Sequence, residues 1–130
     1  MECDLTRIAD CQCGGVHLTC EGEPTRVSVC HCLACQKRSG SAFAAQARYA
    51  RGQIAVAGET REFIRIADSG EHIYQHFGPA CGTGLFYYLK ASPDITAVPV
   101  GLFADPQLPA PRYSVYEDRK HPWVEIATAR

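Results

Sequence analysis

Cys30-His31-Cys32-Leu33-Ala34-Cys35 places three thiols within six residues. Cysteines this close can converge on one metal ion without any long-range folding event. Zinc takes four ligands, and three protein ligands with an open fourth position is the arrangement used for chemistry rather than for stapling. His31 stands between the thiols as an alternative fourth ligand. It is disfavoured, because the residue between two close ligands points away from them. The bland alternative is apolar filling, since free cysteine packs well in cores. Three thiols in six residues exceed what filling requires.

The chain around this cluster is an ordinary globule. Its 130 residues fit one domain, here taken as 1–130, and can bury a real core. Thirteen basic and fourteen acidic residues leave a net charge of −1, which gives no electrostatic case for nucleic acid as a partner. No run approaches the roughly 18 apolar residues of a membrane span, so no membrane partner is expected. The start Met1-Glu2-Cys3-Asp4-Leu5 lacks the apolar core of a signal peptide. The expected compartment is therefore the cytoplasm, where eight cysteines favour metal over disulfides.

Eleven glycines and eight prolines punctuate short segments. Residues 16–20 and 26–30 alternate apolar and polar side chains as half-buried strands do. Glu21-Gly22-Glu23-Pro24 lies between them as a turn signal, so the pair is expected to form a hairpin leading into the thiol cluster. Further strands are expected over 42–49, 54–57, 62–66, 73–77, 85–89 and 95–100, with a turn at Ala67-Asp68-Ser69-Gly70. The proline-rich stretch 105–111 cannot be regular structure. Residues 33–37 make one helical turn at most. The sum is a mainly β domain of short antiparallel strands.

Cys11-Gln12-Cys13-Gly14-Gly15 and Cys81-Gly82-Thr83-Gly84 look like two halves of a zinc knuckle site, in which glycine lets backbone amides turn toward sulfur. A second metal site is therefore plausible beside the Cys30 cluster. Cys20 is best explained as a buried apolar filler, and an exposed thiol is the bland alternative for Cys3.

These motifs in this order resemble the glutathione-dependent formaldehyde-activating enzyme family, which includes relatives of centromere protein V. The match covers Cys11-x-Cys13-Gly14, then Cys30 through Cys35, and then Lys37-Arg38-Ser39-Gly40-Ser41-Ala42-Phe43. It continues through Ser69-Gly70, Cys81-Gly82 with Leu85-Phe86, and the tail from Ser114 to Val124, a matched core of 11–124. The resemblance implies a β-tent fold organised around zinc-binding knuckles, with one or two Zn2+ per chain. It implies a catalytic zinc on Cys30, Cys32 and Cys35. It also implies a structural zinc on Cys11, Cys13 and Cys81, with Gly78 where the family carries a fourth thiol. Three substitutes are weighed for that ligand: His76, Cys3, and water or nothing.

The implied activity is that of a carbon–sulfur lyase or synthase, which adds glutathione or a similar thiol to formaldehyde or another small aldehyde. Arg38, with Lys37 and Arg48, is placed to meet a glutathione carboxylate, and the Ser39-Gly40-Ser41 backbone to donate amides to the peptide. Each of these basic residues is as readily a solvated surface charge. Tyr116, His121 and Trp123 are candidates for an aromatic wall, with core packing the stronger expectation for Trp123. The competing readings are a non-catalytic glutathione carrier and a zinc-stabilised protein-interaction module.

Overall fold

The computed structural model describes residues 5–128. Eleven elements carry the architecture. They are β1 (Thr6–Asp10), β2 (His17–Glu21), β3 (Arg26–Cys30), α1 (Leu33–Ser39), β4 (Ala44–Ala50), β5 (Ile54–Ala57), β6 (Arg61–Ile66), β7 (His72–Phe77), β8 (Gly84–Leu89), β9 (Ser92–Pro99) and β10 (Tyr113–Val115). The mainly β expectation holds, and the expected strands are present with small shifts at their ends.

Two sheets form. The smaller has the order β1-β2-β5 and the larger β10-β3-β4-β9-β8-β7-β6. Pairing is antiparallel except at β10, which runs parallel to β3. The inward side chains of the small sheet, Ala9, Leu18 and Cys20, pack on Val27, Ala47, Tyr49, Leu85 and Val98 of the large sheet, with Phe103 and Leu108 completing this core. Alternation in β2 produces that face: Leu18 and Cys20 are fully buried while His17 and Glu21 are exposed.

The expected hairpin between residues 16–20 and 26–30 does not exist. β2 pairs with β1 and β5, and β3 pairs with β4 and β10. Glu21 to Thr25 carries the chain from one sheet to the other, with the Gly22 amide bonded to Leu5 and the Thr25 amide to Arg48. Burial explains the choice. β3 is buried from Val27 to Cys30, as an internal strand of the large sheet must be, whereas β2 keeps one wet face and suits a covering sheet. β1, which takes the place beside β2, was not expected.

α1 is also longer than one turn. Cys32 caps its start, its Sγ accepting from the Cys35 amide at 3.3 Å, and Gly40 closes it with an amide bond to the Gln36 carbonyl. Among the described residues, no helix is long and apolar enough to cross a membrane.

Candidate metal centres and the pocket beside them

The three sulfurs of Cys30, Cys32 and Cys35 lie within 4.8 Å of one another. Cys30 ends β3 and is buried, Cys32 caps α1, and Cys35 sits one turn further along the helix. The tail holds this turn in place. Gln36 Nε2 donates to the carbonyls of His31 and Arg119, and Gln36 Oε1 meets His121 Nε2 at 2.9 Å. His31 is fully buried and turned from the sulfurs, with Nε2 2.9 Å from Ser114 Oγ. It is not a member of the cluster.

The second group, Cys11, Cys13 and Cys81, also has its sulfurs within 4.8 Å. Cys11 and Cys13 come from the β1–β2 connection and Cys81 from the β7–β8 connection, so two hairpin tips meet. Gly14 (φ 79°) and Gly82 (φ 77°) hold left-handed backbone that glycine adopts without strain. Those turns aim amides at sulfur: Val16 N–H donates to Cys11 Sγ at 3.3 Å.

Both groups fit a soft divalent metal. Zn–S bonds of ~2.3 Å in a tetrahedron separate sulfurs by ~3.8 Å, and Cys11 Sγ lies 3.6 Å from Cys13 Sγ. One thiol of each group is poised as thiolate, Cys35 and Cys81, while Cys30 and Cys13 are pushed up. Hydrogen bonding from Cys30, then from Cys32 and the Arg38 guanidinium, brings the Cys35 thiol down to about 5. Cys30 is pushed up as the partner that keeps the shared proton, and by burial. Bonds from the Thr83 hydroxyl and amide and the Cys13 amide bring Cys81 down to about 6. Burial, helped by Glu21 and opposed by Arg7, pushes Cys20 up to about 11, in keeping with a core filler.

Beside Cys35 the large sheet forms a pocket of about 200 Å³ lined by Cys35, Arg38, Arg48, Arg65, Gln75, Tyr87 and Tyr116, among others. Strand register builds it. Arg48 lies opposite Ala97, Ala97 opposite Tyr87 and Tyr87 opposite Gln75, so these side chains share one face. Arg65 opposite Ile73 adds the next row. α1 lays Cys35 and Arg38 over that face, with the Arg38 guanidinium 4.6 Å from the Tyr87 ring centre and 3.8 Å from Cys35 Sγ. Among the described residues, none of the three arginines is paired with a carboxylate.

The residues expected near the site divide. Arg38 and Arg48 reach the pocket, while Lys37 is exposed. Ser39, Gly40 and Ser41 do not line it, and the Gly40 and Ser41 amides bond to Gln36 and to Ser39 Oγ. Trp123 is not core, being 73% exposed, with its ring tilted 52° against that of His121. Tyr116 is at the pocket. Arg65, Gln75 and Tyr87 were not foreseen, because only strand pairing brings them there. Their positions on one face of alternating strands were the available signal.

His76 cannot serve as the missing ligand. Its ring nitrogens meet Thr60 Oγ1 at 2.9 Å and Glu62 Oε2 at 3.0 Å, and its ring stacks on Phe86. A register shift between His76 and Phe77 breaks the alternation that would have set His76 on the Gly78 side. Cys3 lies outside the described residues.

The sequence model of the glutathione-dependent formaldehyde-activating enzymes matches residues 6–119. The chain belongs to this family. A crystal structure of a Rhodobacter sphaeroides protein matches with a TM-score of 0.59 at 17% identity, over 77% of this chain and 92% of that one. A likeness at that identity speaks for the fold. No curated protein matches the chain. Within the glutathione-dependent formaldehyde-activating enzyme family, the expected cysteine clusters are thus accompanied here by a cationic pocket.

Proposed function

We propose that the protein is a zinc-dependent carbon–sulfur lyase or synthase that joins an anionic thiol, with glutathione as the best fit, to formaldehyde. One observation carries this reading: three half-buried, carboxylate-free arginines converge beside the Cys30–Cys32–Cys35 cluster. Unpaired guanidinium groups call for anions, and planar bidentate contact suits carboxylates. Glutathione carries two carboxylates flanking one thiol.

Cys30, Cys32 and Cys35 would hold the metal, leaving one ligand position. A zinc ion there supplies a position at which a thiol loses its proton near neutral pH. Arg48 and Arg65 hold the carboxylates and fix where the thiol sulfur points. The sulfur attacks the formaldehyde carbon, a carbon–sulfur bond forms, and the carbonyl π pair moves to oxygen. That oxygen takes up the proton the thiol released, and the Tyr87 hydroxyl, kept neutral by burial, donates a hydrogen bond to it. The product is S-(hydroxymethyl)glutathione, and the reverse path is the lyase reaction. Glutathione, a small aldehyde and zinc are the proposed partners, in the cytoplasm.

The test is the exchange rate between formaldehyde and glutathione, measured by magnetisation transfer with and without protein. Acceleration proportional to protein concentration, abolished in Cys32→Ser, is the expected result. Glutathione binding without acceleration would make the protein a carrier instead. Neither binding nor acceleration would leave an interaction module.

A further inference from the structure

Among the described residues, the Cys11–Cys13–Cys81 group has three sulfurs and no fourth His, Cys, Asp or Glu ligand. Gly78 is the reason. The three nearest atoms to a Cβ built there would be Cys81 Sγ at 3.5 Å, Cys11 Cβ at 3.8 Å and Cys11 Sγ at 3.9 Å. Those are ordinary contact distances, so a carbon has room beside the sulfurs. Among the described residues no substitute stands nearby. His76 is engaged by Thr60 and Glu62, the Asp10 carboxylate faces His17 at 3.9 Å, and Cys20 is sealed in the core.

We propose that this group is a second open metal centre, holding zinc with three thiolates and taking its fourth ligand from solution as a small neutral or cationic thiol. The space left by Gly78 admits the carbon of such a molecule's CH2–S end, much as a cavity left by a truncated side chain accepts the missing fragment. Solvent reaches this group from the Cys13 and Cys81 side, whereas Cys11 and Gly78 are buried. Cys13 is exposed, and Cys11 and Cys81 border a cleft of about 590 Å³ whose only charged lining residue is Asp10. Asp10 disfavours an anionic thiol, so this centre and the arginine pocket select ligands of opposite charge. On ligation the thiol proton passes to solvent and no redox change occurs. The centre joins the β1–β2 tip to the β7–β8 tip, so a thiol that tightens its metal also tightens the join between the two sheets.

The test uses the full chain carrying Cys32→Ser, so that only this centre keeps three thiolates. Zinc affinity is measured in a zinc-buffered competition with millimolar cysteamine, 2-mercaptoethanol or glutathione, and with ethanolamine as the sulfur-free control. Cysteamine and 2-mercaptoethanol are expected to tighten zinc binding about tenfold, as a ligand at roughly ten times its Kd would, with glutathione weaker and ethanolamine inert. Gly78→Cys in the same background is expected to bind zinc tightly with no thiol dependence. Equal affinity with cysteamine and ethanolamine, or a Gly78→Cys chain no tighter than its parent, would overturn the proposal. If Cys32→Ser fails to fold, cobalt-loaded chains with the Cys30 cluster intact give the same comparison. Cysteamine must then raise the thiolate-to-cobalt absorption more in the parent than in Gly78→Cys. Loss of formaldehyde exchange with this thiol response intact would count against the catalytic reading alone.

Discussion

Replacing Arg48 with Gln isolates the pocket's charge from its metal. Arg38 lies 3.8 Å from Cys35 Sγ, so changing it would disturb the thiols as well. Among the described residues the Arg48 side chain makes one hydrogen bond, to the Tyr87 hydroxyl at a long 3.5 Å, and has no carboxylate partner. The fold therefore loses little, and glutamine keeps the stem that packs along β4. A hydrogen bond to a charged group contributes about 1.5–3 kcal/mol, against about 1 kcal/mol or less for an exposed ion pair. Arg48 is half-buried and shares the work with two other arginines, so the low end applies. About 1.5 kcal/mol is roughly a tenfold rise in the Kd for glutathione. Calorimetric titration of the zinc-loaded chain measures it, with 2-mercaptoethanol as a thiol that has no carboxylate. The expected outcome is a roughly tenfold loss for glutathione and no change for 2-mercaptoethanol, with zinc content and melting temperature retained. An unchanged glutathione Kd, or an equal loss for both thiols, would refute the reasoning.

Three further outcomes follow from the packing and the thiols. Leu18→Ala, at a fully buried position between the sheets, should cost about 2–5 kcal/mol in denaturant unfolding; a loss well under 1 kcal/mol would mean the sheets do not pack through it. Cys20 has its thiol raised from 9.0 to about 11, so it stays protonated in the fold while the unfolded thiol ionises. Its contribution is full below pH 9 and fades as pH rises toward 11, so wild type should lose stability relative to Cys20→Ala across that window. Chelating the metal in buffer containing a small thiol should lower the melting temperature by at least about 10 °C, since both clusters join separate elements; an unmoved melt would show that the thiols hold no structural metal.

How far the fold was legible in the chain depended on the range of the contacts. The clusters at Cys30–Cys35 and Cys11–Cys13 are local, and short motifs reveal them. Alternation marked most strands, because one face of each meets the core. Pairing was less legible. The turn-like Glu21–Pro24 segment does not return the chain on itself, and nothing nearby in sequence says that β3 needs two neighbours of its own sheet. β1 was missed because Thr6-Arg7-Ile8-Ala9-Asp10 carries only one fully buried side chain, Ala9. The arginine pocket was half visible. Arg38 and Arg48 lie near the thiols in sequence, but Arg65, Gln75 and Tyr87 join them only through the register of β6, β7 and β8. Trp123 was misjudged because a large aromatic ring is usually buried. Here it lies on the surface against His121, whose other contact is Gln36 of α1.

The central claim is that a thiol placed by the arginines meets a metal held by Cys30, Cys32 and Cys35. A crystal structure of the zinc-loaded protein with glutathione, with anomalous data at the zinc edge, tests it most directly. The account predicts a zinc peak among those three sulfurs, the glutathione sulfur beside it, and a carboxylate on Arg48 or Arg65. A peak only at Cys11, Cys13 and Cys81, or glutathione bound away from the arginines, would contradict it.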